Sequence, residues 1–284
     1  MSMSATEGKQ ADAITLEGVE ARYGTGPKAL TDVSCSFEYG TSSALIGANG
    51  SGKTTLLRLI SGLSQPSAGT ISPLPAKKSV ALVAQQHGNR TWVPVTVANV
   101  LRMSRFSDQG LVRRLNAKDR DLIGEAAERL DVADLKNRQF GELSSGQRQR
   151  VLVAQALARD AQILLMDEPI TGLDLPSQAT ILRIVDEERQ RGRVVVISTH
   201  HMDEAEMCDQ VLLLANRLIA AGTPQEVLNN KNMQAAFGLR MAHGDADDCV
   251  FHGEHDDHSA GVIHVFNDHG HGHDHGHGHD HPDS

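Results

Sequence analysis

Short runs of apolar residues alternate with segments of helical periodicity along most of this chain. Apolar runs of this length favour strands that are buried on both faces, as in a largely parallel α/β sheet. Six such strands are predicted, at Ile14–Ala21, Ser43–Ile46, Ser79–Ala84, Ile163–Met166, Val194–Ser198 and Val211–Leu214. Helices are predicted between strands at Lys53–Ser61 and Ser177–Gln190, and Pro176 is well placed to begin the second of them.

Composition divides the chain into three parts. Residues 1–12 are polar, and we expect a flexible N-terminus there. Residues 13–240 carry the alternating pattern and predict one α/β domain. Within it, residues 96–140 are rich in Arg, Asp and Leu without a strong strand run, which indicates a helical subdomain at about 88–158. Residues 241–284 combine His, Asp and Gly with too few apolar residues for a core, so they predict a disordered tail.

The tail also carries most of the net negative charge. From Met241 to the end there are ten acidic residues and no Lys or Arg, whereas residues 1–240 hold 27 basic and 26 acidic residues. A nearly neutral domain beside an acidic tail argues against nucleic acid as a partner. Three widely spaced cysteines favour the reducing cytosol over a disulfide framework. No apolar stretch approaches the roughly 20 residues that span a bilayer, so a membrane pore would need another chain.

The segment after the second predicted strand has the pattern of a phosphate-binding loop and reads Gly47-Ala48-Asn49-Gly50-Ser51-Gly52-Lys53-Thr54. It follows a strand and begins a helix, which is the context that this motif requires. The glycines let backbone N–H groups turn toward the phosphates of ATP, and the helix N-terminus adds the positive end of its dipole. We expect Lys53 to reach the β- and γ-phosphates and Thr54 to bind Mg²⁺, with Thr55 also in the nucleotide site.

A pair of carboxylates, Asp167 and Glu168, ends the predicted strand Ile163–Met166. Ionised groups are costly inside a strand core, but the carboxyl end of a parallel sheet is where ligands bind. An acidic turn at the end of a strand would explain the pair equally well if it stood alone. Beside a phosphate-binding loop, the pair predicts that Asp167 holds Mg²⁺ through water and that Glu168 deprotonates the attacking water.

Between these motifs, Leu143-Ser144-Ser145-Gly146-Gln147 precedes a helical stretch at Arg148–Ala158. A serine N-cap would by itself account for Ser144. With the two motifs above, however, this segment resembles the signature loop of the ABC ATPase family, usually Leu-Ser-Gly-Gly-Gln, with Ser145 in place of the first glycine. The resemblance covers residues 13–238. It implies a P-loop NTPase fold in which Ser144, Ser145, Gly146 and Gln147 contact the γ-phosphate of ATP bound by a second copy.

Two more positions match this family at the ends of predicted strands. Gln85 follows Ser79–Ala84 and matches the Q-loop glutamine, which contacts Mg²⁺ and the transmembrane partner; Gln86 is the alternative. His200 follows Val194–Ser198 and matches the switch histidine, which contacts the γ-phosphate. His201 stands where the family often has Asp. The resemblance therefore implies that Gln85 and His200 join Glu168 in catalysis.

Three softer matches complete the resemblance. Tyr23 matches the aromatic residue that stacks on adenine, and Thr171-Gly172-Leu173-Asp174 resembles the D-loop that communicates across the dimer. Pro94-Val95-Thr96-Val97, with the stretch Glu168-Pro169-Ile170-Thr171-Gly172-Leu173-Asp174, is most similar to manganese and zinc importer ATPases. The resemblance implies a homodimer that binds two ATP molecules on a permease at the cytoplasmic face of the membrane. An importer would also work with an extracytoplasmic solute-binding protein.

The tail adds candidate metal ligands. Imidazoles beside carboxylates suit zinc, nickel, cobalt or copper, and an acidic solvating tail is the plainer interpretation. The candidate ligands are His252, His255, His258, His269, His271, His273, His275, His277, His279 and His281. We therefore predict an ATPase subunit of a divalent-metal importer, with zinc favoured and manganese next. The alternatives are an ABC ATPase for another solute or for export, and a soluble metal-sensing or metal-storage ATPase.

Overall fold

The computed structural model describes residues 12–85, 94–106 and 115–237. Nine strands lie in these ranges: β1 Asp12–Arg22, β2 Lys28–Glu38, β3 Ser42–Ile46, β4 Ala68–Ser72, β5 Val80–Val83, β6 Ile163–Asp167, β7 Val194–Thr199, β8 Gln210–Leu214 and β9 Leu218–Gly222. They also hold eight α-helices: α1 Lys53–Ile60, α2 Val97–Phe106, α3 Ala117–Arg129, α4 Ser145–Leu157, α5 Leu175–Gln190, α6 Met202–Glu206, α7 Pro224–Val227 and α8 Asn230–Phe237.

The central sheet has six strands in the order β5-β6-β7-β3-β8-β9. Its first five strands are parallel, and only β9 runs antiparallel, paired with β8. Every residue of β3, β6 and β7 is buried, as expected for strands covered on both faces. Five of the six predicted strands form this parallel part, each ending within one residue of its predicted bounds. The predicted α/β fold is therefore confirmed.

The sixth predicted strand, Ile14–Ala21, lies within β1 but belongs to a different sheet. That sheet is antiparallel, with the order β2-β1-β4, so placing this segment in the parallel sheet was wrong. The reason is that β1 is covered mainly on one face: Leu16 and Val19 are buried while Glu17 between them is exposed. Strands β2 and β4 were not predicted, because their polar residues break the apolar runs.

The two faces of the central sheet pack into two apolar cores. One face, with Leu45 and Leu165, packs with α1 and the antiparallel sheet. The other face, with Ala44 and Met166, packs with α2, α4 and α5. Burial on both faces fixes the carboxyl ends of the parallel strands, from which the nucleotide-site loops extend.

Three helices, α2, α3 and α4, pack on one another within the segment predicted to be helical. Helix α3 begins with a capping box in which the Asn116 side chain accepts from the Asp119 backbone N–H at 2.8 Å and Asp119 accepts from that of Asn116. Among the described residues, we find no helix with the length and apolar character needed to cross a bilayer.

Candidate nucleotide-binding site

The loop from β3 to α1 has a backbone that only glycine adopts easily at two positions. Gly50 has a φ of 82°, and Gly52, the N-cap of α1, has a φ of 102°. A Cβ atom at Gly52 would also overlap the side chain of Leu30. These conformations aim the start of α1, with its unpaired N–H groups, at the open side of the loop.

Lys53 is the first residue of α1 and folds back over the loop. Its Nζ donates to the carbonyl oxygens of Gly47 at 2.6 Å and Ala48 at 3.3 Å. Burial lowers the pKa of Lys53, and the nearby carboxylates of Glu168 and Asp167 act in the opposite direction. The ammonium group is thus held beside the loop and close to two negative charges.

Asn216, a residue far along the chain, holds the loop in place by hydrogen bonds. Its side-chain amide donates to the carbonyl oxygens of Gly50 at 2.9 Å and Ala29 at 3.1 Å, and its backbone N–H donates to Ser51 O at 2.9 Å. Asn216 lies in the turn between β8 and β9 with a φ of 54°, which asparagine tolerates. The sequence analysis missed it, since nothing in its local sequence marks it.

The loop opens onto a cavity of about 420 Å³ that brings most of the predicted nucleotide-binding residues together. Tyr23 stands at its edge, half-exposed, and its hydroxyl is hydrogen-bonded to Thr55 Oγ1 at 3.0 Å. Gly47 is packed beneath the loop, where a Cβ atom would overlap the Leu214 carbonyl. The lining residues are Tyr23, Ala29, Asn49, Gly50, Ser51, Gly52, Lys53, Thr54, Thr55, Gln85 and Glu168.

The two carboxylates at the end of β6 have neutral hydrogen-bond partners. Asp167 is buried and accepts from the Ser198 hydroxyl at 2.5 Å, and that hydroxyl accepts from the Glu168 backbone N–H at 2.9 Å. Glu168 accepts from the Gln85 side-chain amide at 2.7 Å. Its φ of 46° lies in the left-handed region, which is costly for a residue with a side chain and is concentrated at functional sites. Ser198 was missed from the sequence.

The predicted switch histidine lies beside this pair. His200 Nδ1 is 3.9 Å from Glu168 Oε1, and its side chain is partly exposed. His200 follows β7, and β7 is the neighbour of β6 in the sheet, which explains why the two side chains meet. The backbone N–H of His201 donates to Thr199 Oγ1 at 3.0 Å.

The four signature residues lie away from the cavity, since none of them is among its described lining residues. Ser144 is the N-cap of α4: its hydroxyl accepts from the Gln147 backbone N–H at 3.2 Å, and the Gln147 side chain accepts from the Ser144 N–H at 3.2 Å. Ser144 and Ser145 are exposed, whereas Gly146 is buried. A Cβ atom at Gly146 would overlap the Ser177 hydroxyl at the start of α5.

Some predicted positions cannot be placed. Gln86 and the ten histidines named above as candidate metal ligands of the tail lie outside the described residues. Within the described ranges, no group of three or more His, Cys, Asp or Glu side chains is arranged to hold a metal ion. The tail metal site therefore stays a prediction from the sequence.

Comparison with known proteins agrees with this geometry. A family model described as ABC transporter matches residues 30–171. Over 258 residues the chain is 33% identical to the chelated iron transport system membrane protein YfeB of Yersinia pestis, covering 88% of this chain and 87% of that one. It is 35% identical over 233 residues to the manganese transport system ATP-binding protein MntA of a Synechocystis strain, covering 79% and 90%.

A solved structure shares the fold as well. It is that of a metal-chelate type ABC transporter in an inward-facing conformation, at 27% identity and a TM-score of 0.71, covering 80% of this chain and 89% of that one. Both the family match and the long, similar relatives thus lead to the same assignment. The chain belongs to the ABC transporter family and is an ATP-binding, ATP-hydrolysing cassette of that family.

Proposed function

We propose that this chain powers the import of a divalent metal ion, zinc or manganese, through a separate permease. The proposal has two parts, ATP hydrolysis and metal import. The first part is supported by one cavity, in which Lys53, Gln85 and Glu168 lie together at the phosphate-binding loop. The printed names of two relatives, which refer to chelated iron and to manganese, support the second part. The histidine-rich tail supports it independently.

In the proposed reaction, a water molecule attacks the γ-phosphorus of ATP while Glu168 accepts its proton. The bond between that phosphorus and the bridging oxygen breaks, and ADP and inorganic phosphate leave. Lys53 and the loop N–H groups stabilise the charge on the phosphates, and His200 contacts the γ-phosphate from the side of Glu168. Tyr23 stacks on the adenine at the cavity edge.

The oxygen ligands around the cavity fit Mg²⁺. The Thr54 hydroxyl, the Asp167 carboxylate and the Gln85 side-chain oxygen are hard ligands of the kind that this ion prefers. The Gln85 amide nitrogen is used by Glu168, which leaves its oxygen for the ion. When bound, Mg²⁺ would neutralise part of the negative charge on the phosphates of ATP. Asp167 is kept in place for this role by Ser198.

We propose that a second copy completes each site with Ser144, Ser145, Gly146 and Gln147. Exposure of Ser144 and Ser145 at the start of α4, away from the cavity of the same chain, supports this. Gly146 is a poor position for a test, because a side chain there would overlap Ser177 within one copy. Ser145 is exposed and is the first residue of α4.

Ser145→Asp tests the shared site. An aspartate in the first turn favours the helix, so α4 should stay folded while the carboxylate repels the γ-phosphate of the partner's ATP. We expect the variant to bind a non-hydrolysable ATP analogue as a monomer but not to dimerise with it in analytical ultracentrifugation. Ser145→Ala is the matched control and should dimerise. If the aspartate variant dimerises equally well, the shared site is refuted.

Metal binding by the histidine-rich tail is tested with the full-length chain. We expect zinc titration by calorimetry to show binding that is lost when the seven histidines from His269 to His281 are replaced by glutamine. Protons compete for imidazole, so binding should weaken below about pH 6. Equal zinc binding by the two proteins would refute the tail site.

The partners follow from the same proposal. The protein would sit peripherally on the cytoplasmic face of the membrane, bound to an integral permease, with an extracytoplasmic solute-binding protein delivering the metal. Co-purification with the permease, followed by ATPase assays with the reconstituted transporter and zinc or manganese, tests this. ATP turnover without any membrane partner and without a response to either metal would contradict it.

A further inference from the structure

A hydrogen bond joins Tyr23, for which adenine stacking is proposed above, to the helix that follows the phosphate-binding loop. The Tyr23 hydroxyl and Thr55 Oγ1 are 3.0 Å apart and hydrogen-bonded to each other, although 32 positions separate the two residues in the chain. Both side chains line the nucleotide cavity, Tyr23 from the turn between β1 and β2 and Thr55 from the first turn of α1. The bond therefore lies in the wall of the cavity.

The two ends of this bond are held in different ways. Thr55 is buried, and the N–H of the fully buried Leu56 beside it donates to the Gly52 carbonyl oxygen at 2.9 Å. Tyr23 is 52% exposed and is followed by Gly24, whose φ of 55° is one that glycine adopts easily. Among the described residues, no atom lies within 4 Å of the position that a Cβ at Gly24 would take. Packing thus fixes Thr55 and gives the turn after Tyr23 little support.

The same turn is also joined to the phosphate-binding loop at its other end. The Asn216 side-chain amide donates to the carbonyl oxygens of Ala29 at 3.1 Å and Gly50 at 2.9 Å. The turn between β1 and β2 is therefore held to the loop and its helix at two points, at Ala29 through Asn216 and at Tyr23 through Thr55. The first point fixes backbone, whereas the second acts on a ring that lines the cavity.

A ring that is fixed before the nucleotide arrives binds it at a lower cost. A half-exposed aromatic side chain in a turn has several rotamers, and restricting it to one costs entropy. If binding itself imposes that restriction, the cost is subtracted from the affinity, and an existing bond removes it. Phenylalanine has a similar stacking face, so the stacking alone does not require the hydroxyl of Tyr23.

We propose that Thr55 is a positioning residue for Tyr23: the bond between their hydroxyls holds the ring at the edge of the cavity before the nucleotide binds. The inference rests on the proposed stacking of Tyr23 on adenine. Stacking uses the face of a base and not its edge. The bond should therefore strengthen the binding of ATP and GTP alike, and it should add nothing to the binding of tripolyphosphate, which has no base.

Tyr23→Phe removes the hydroxyl and keeps the ring. Loss of the fixed orientation corresponds to about a 2- to 12-fold rise in Kd for a non-hydrolysable ATP analogue, measured by calorimetry on the full chain. The matching GTP analogue should lose affinity by the same factor. Kd for tripolyphosphate should change by less than about twofold. An unchanged or lower Kd for the ATP analogue would overturn the inference, and so would an equal rise for tripolyphosphate.

Thr55→Val removes the other hydroxyl at a similar side-chain volume. Because Thr55 lines the cavity beside Lys53 and Thr54, its own effect on Kd can include contacts with the phosphates. A double-mutant cycle isolates the bond: with valine at position 55, Tyr23→Phe should cost no further affinity. With Thr55→Ser, which keeps a hydroxyl, Tyr23→Phe should again raise Kd. If Tyr23→Phe raises Kd by the same factor beside threonine and beside valine, Thr55 does not position the ring.

Tyr23→Ala separates this inference from the proposed stacking. Alanine removes the ring as well as the hydroxyl, so Kd for the ATP analogue should rise by about 5- to 150-fold, more than in Tyr23→Phe. If Tyr23→Ala binds the analogue as the parent does, the proposed stacking is wrong. If Tyr23→Ala weakens binding and Tyr23→Phe does not, the stacking stands and the positioning inference fails alone. An unchanged thermal midpoint in each variant shows that Kd reports the cavity and not folding.

Discussion

Two pairs of adjacent carboxylates, Asp167-Glu168 and Glu187-Glu188, have opposite surroundings. The first pair ends β6 and is held by neutral groups: the Ser198 hydroxyl and the Gln85 amide. Lys53 lies close enough for both carboxylates to act on its pKa, but its Nζ donates to the carbonyl oxygens of the loop and is not ion-paired with either carboxylate. Within the described residues, neither carboxylate is ion-paired with a lysine or an arginine, which suits the metal-binding and proton-accepting roles proposed for them.

The second pair lies near the end of α5 and is neutralised by arginines. Glu188 is fully buried and is ion-paired with Arg129 at 2.7 Å and with Arg193. Glu187 pairs with Arg129 at 2.7 Å and with Arg183 at 2.5 Å. Because Arg129 belongs to α3, these pairs join the helical segment to the α/β body. The two pairs thus differ in their partners: neutral groups hold the pair at the end of β6, and arginines hold the pair in α5.

Glu168→Gln should have the largest effect, and on hydrolysis alone. Glutamine can still accept from Gln85 but cannot take a proton from water, so we expect hydrolysis to fall by about 10²- to 10⁴-fold. ATP binding and the thermal midpoint should be nearly unchanged. The check is steady-state ATPase activity beside fluorescent-nucleotide binding. Near-normal turnover would show that this pair does no chemistry.

Arg129→Met should affect stability instead. It leaves the buried Glu188 with less compensation, and we expect the free energy of unfolding to fall by about 3 kcal/mol in urea titrations. Arg183→Met is the matched control: Arg183 is exposed, so its loss should cost less than about 1 kcal/mol. Similar costs for the two arginines would contradict the structural role assigned to Glu188.

Glu187→Gln should give the smallest effect, visible in its pH dependence. Burial acts to raise the pKa of Glu187, but hydrogen bonds from Arg129 and Arg183 outweigh it, so the pKa lies below its ordinary value of 4.5. The stabilisation is then fully present above that value and is lost as pH falls through the folded-state pKa. The thermal-midpoint difference from the parent should be largest near neutral pH. A difference that does not shrink below about pH 4.5 would refute the ion pairs as its cause.

Sequence patterns predicted the parallel sheet well because burial on both faces leaves unbroken apolar runs. They failed for β4, where most residues are exposed and nothing marks a strand. The phosphate-binding loop was predictable because its residues are contiguous. The meeting of Gln85 with Glu168 was implied once β5 and β6 were neighbours. Their roles in catalysis remain predictions.

Two residues that support the site could not be predicted from the sequence. Ser198 meets Asp167 across 31 positions, and Asn216 meets Gly50 across 166. A serine in a strand and an asparagine in a turn are common, and only the strand order shows what they touch. Local motifs thus identify groups that do chemistry more readily than groups that hold them.

The close seat of Gly146 against Ser177 has a consequence for a pair of such chains. Ser177 follows Asp174, whose carboxylate accepts from the Ser177 backbone N–H at 2.8 Å and caps α5. The beginnings of α4 and α5 are therefore packed so closely that a methyl group at Gly146 would overlap the Ser177 side chain. In the shared site proposed above, a movement of α4 that brings Ser145 toward the partner's nucleotide would therefore also move the start of α5 and the Thr171–Asp174 loop before it. One subunit would then present the start of α4 and the Thr171–Asp174 loop to its partner together, as one rigid unit.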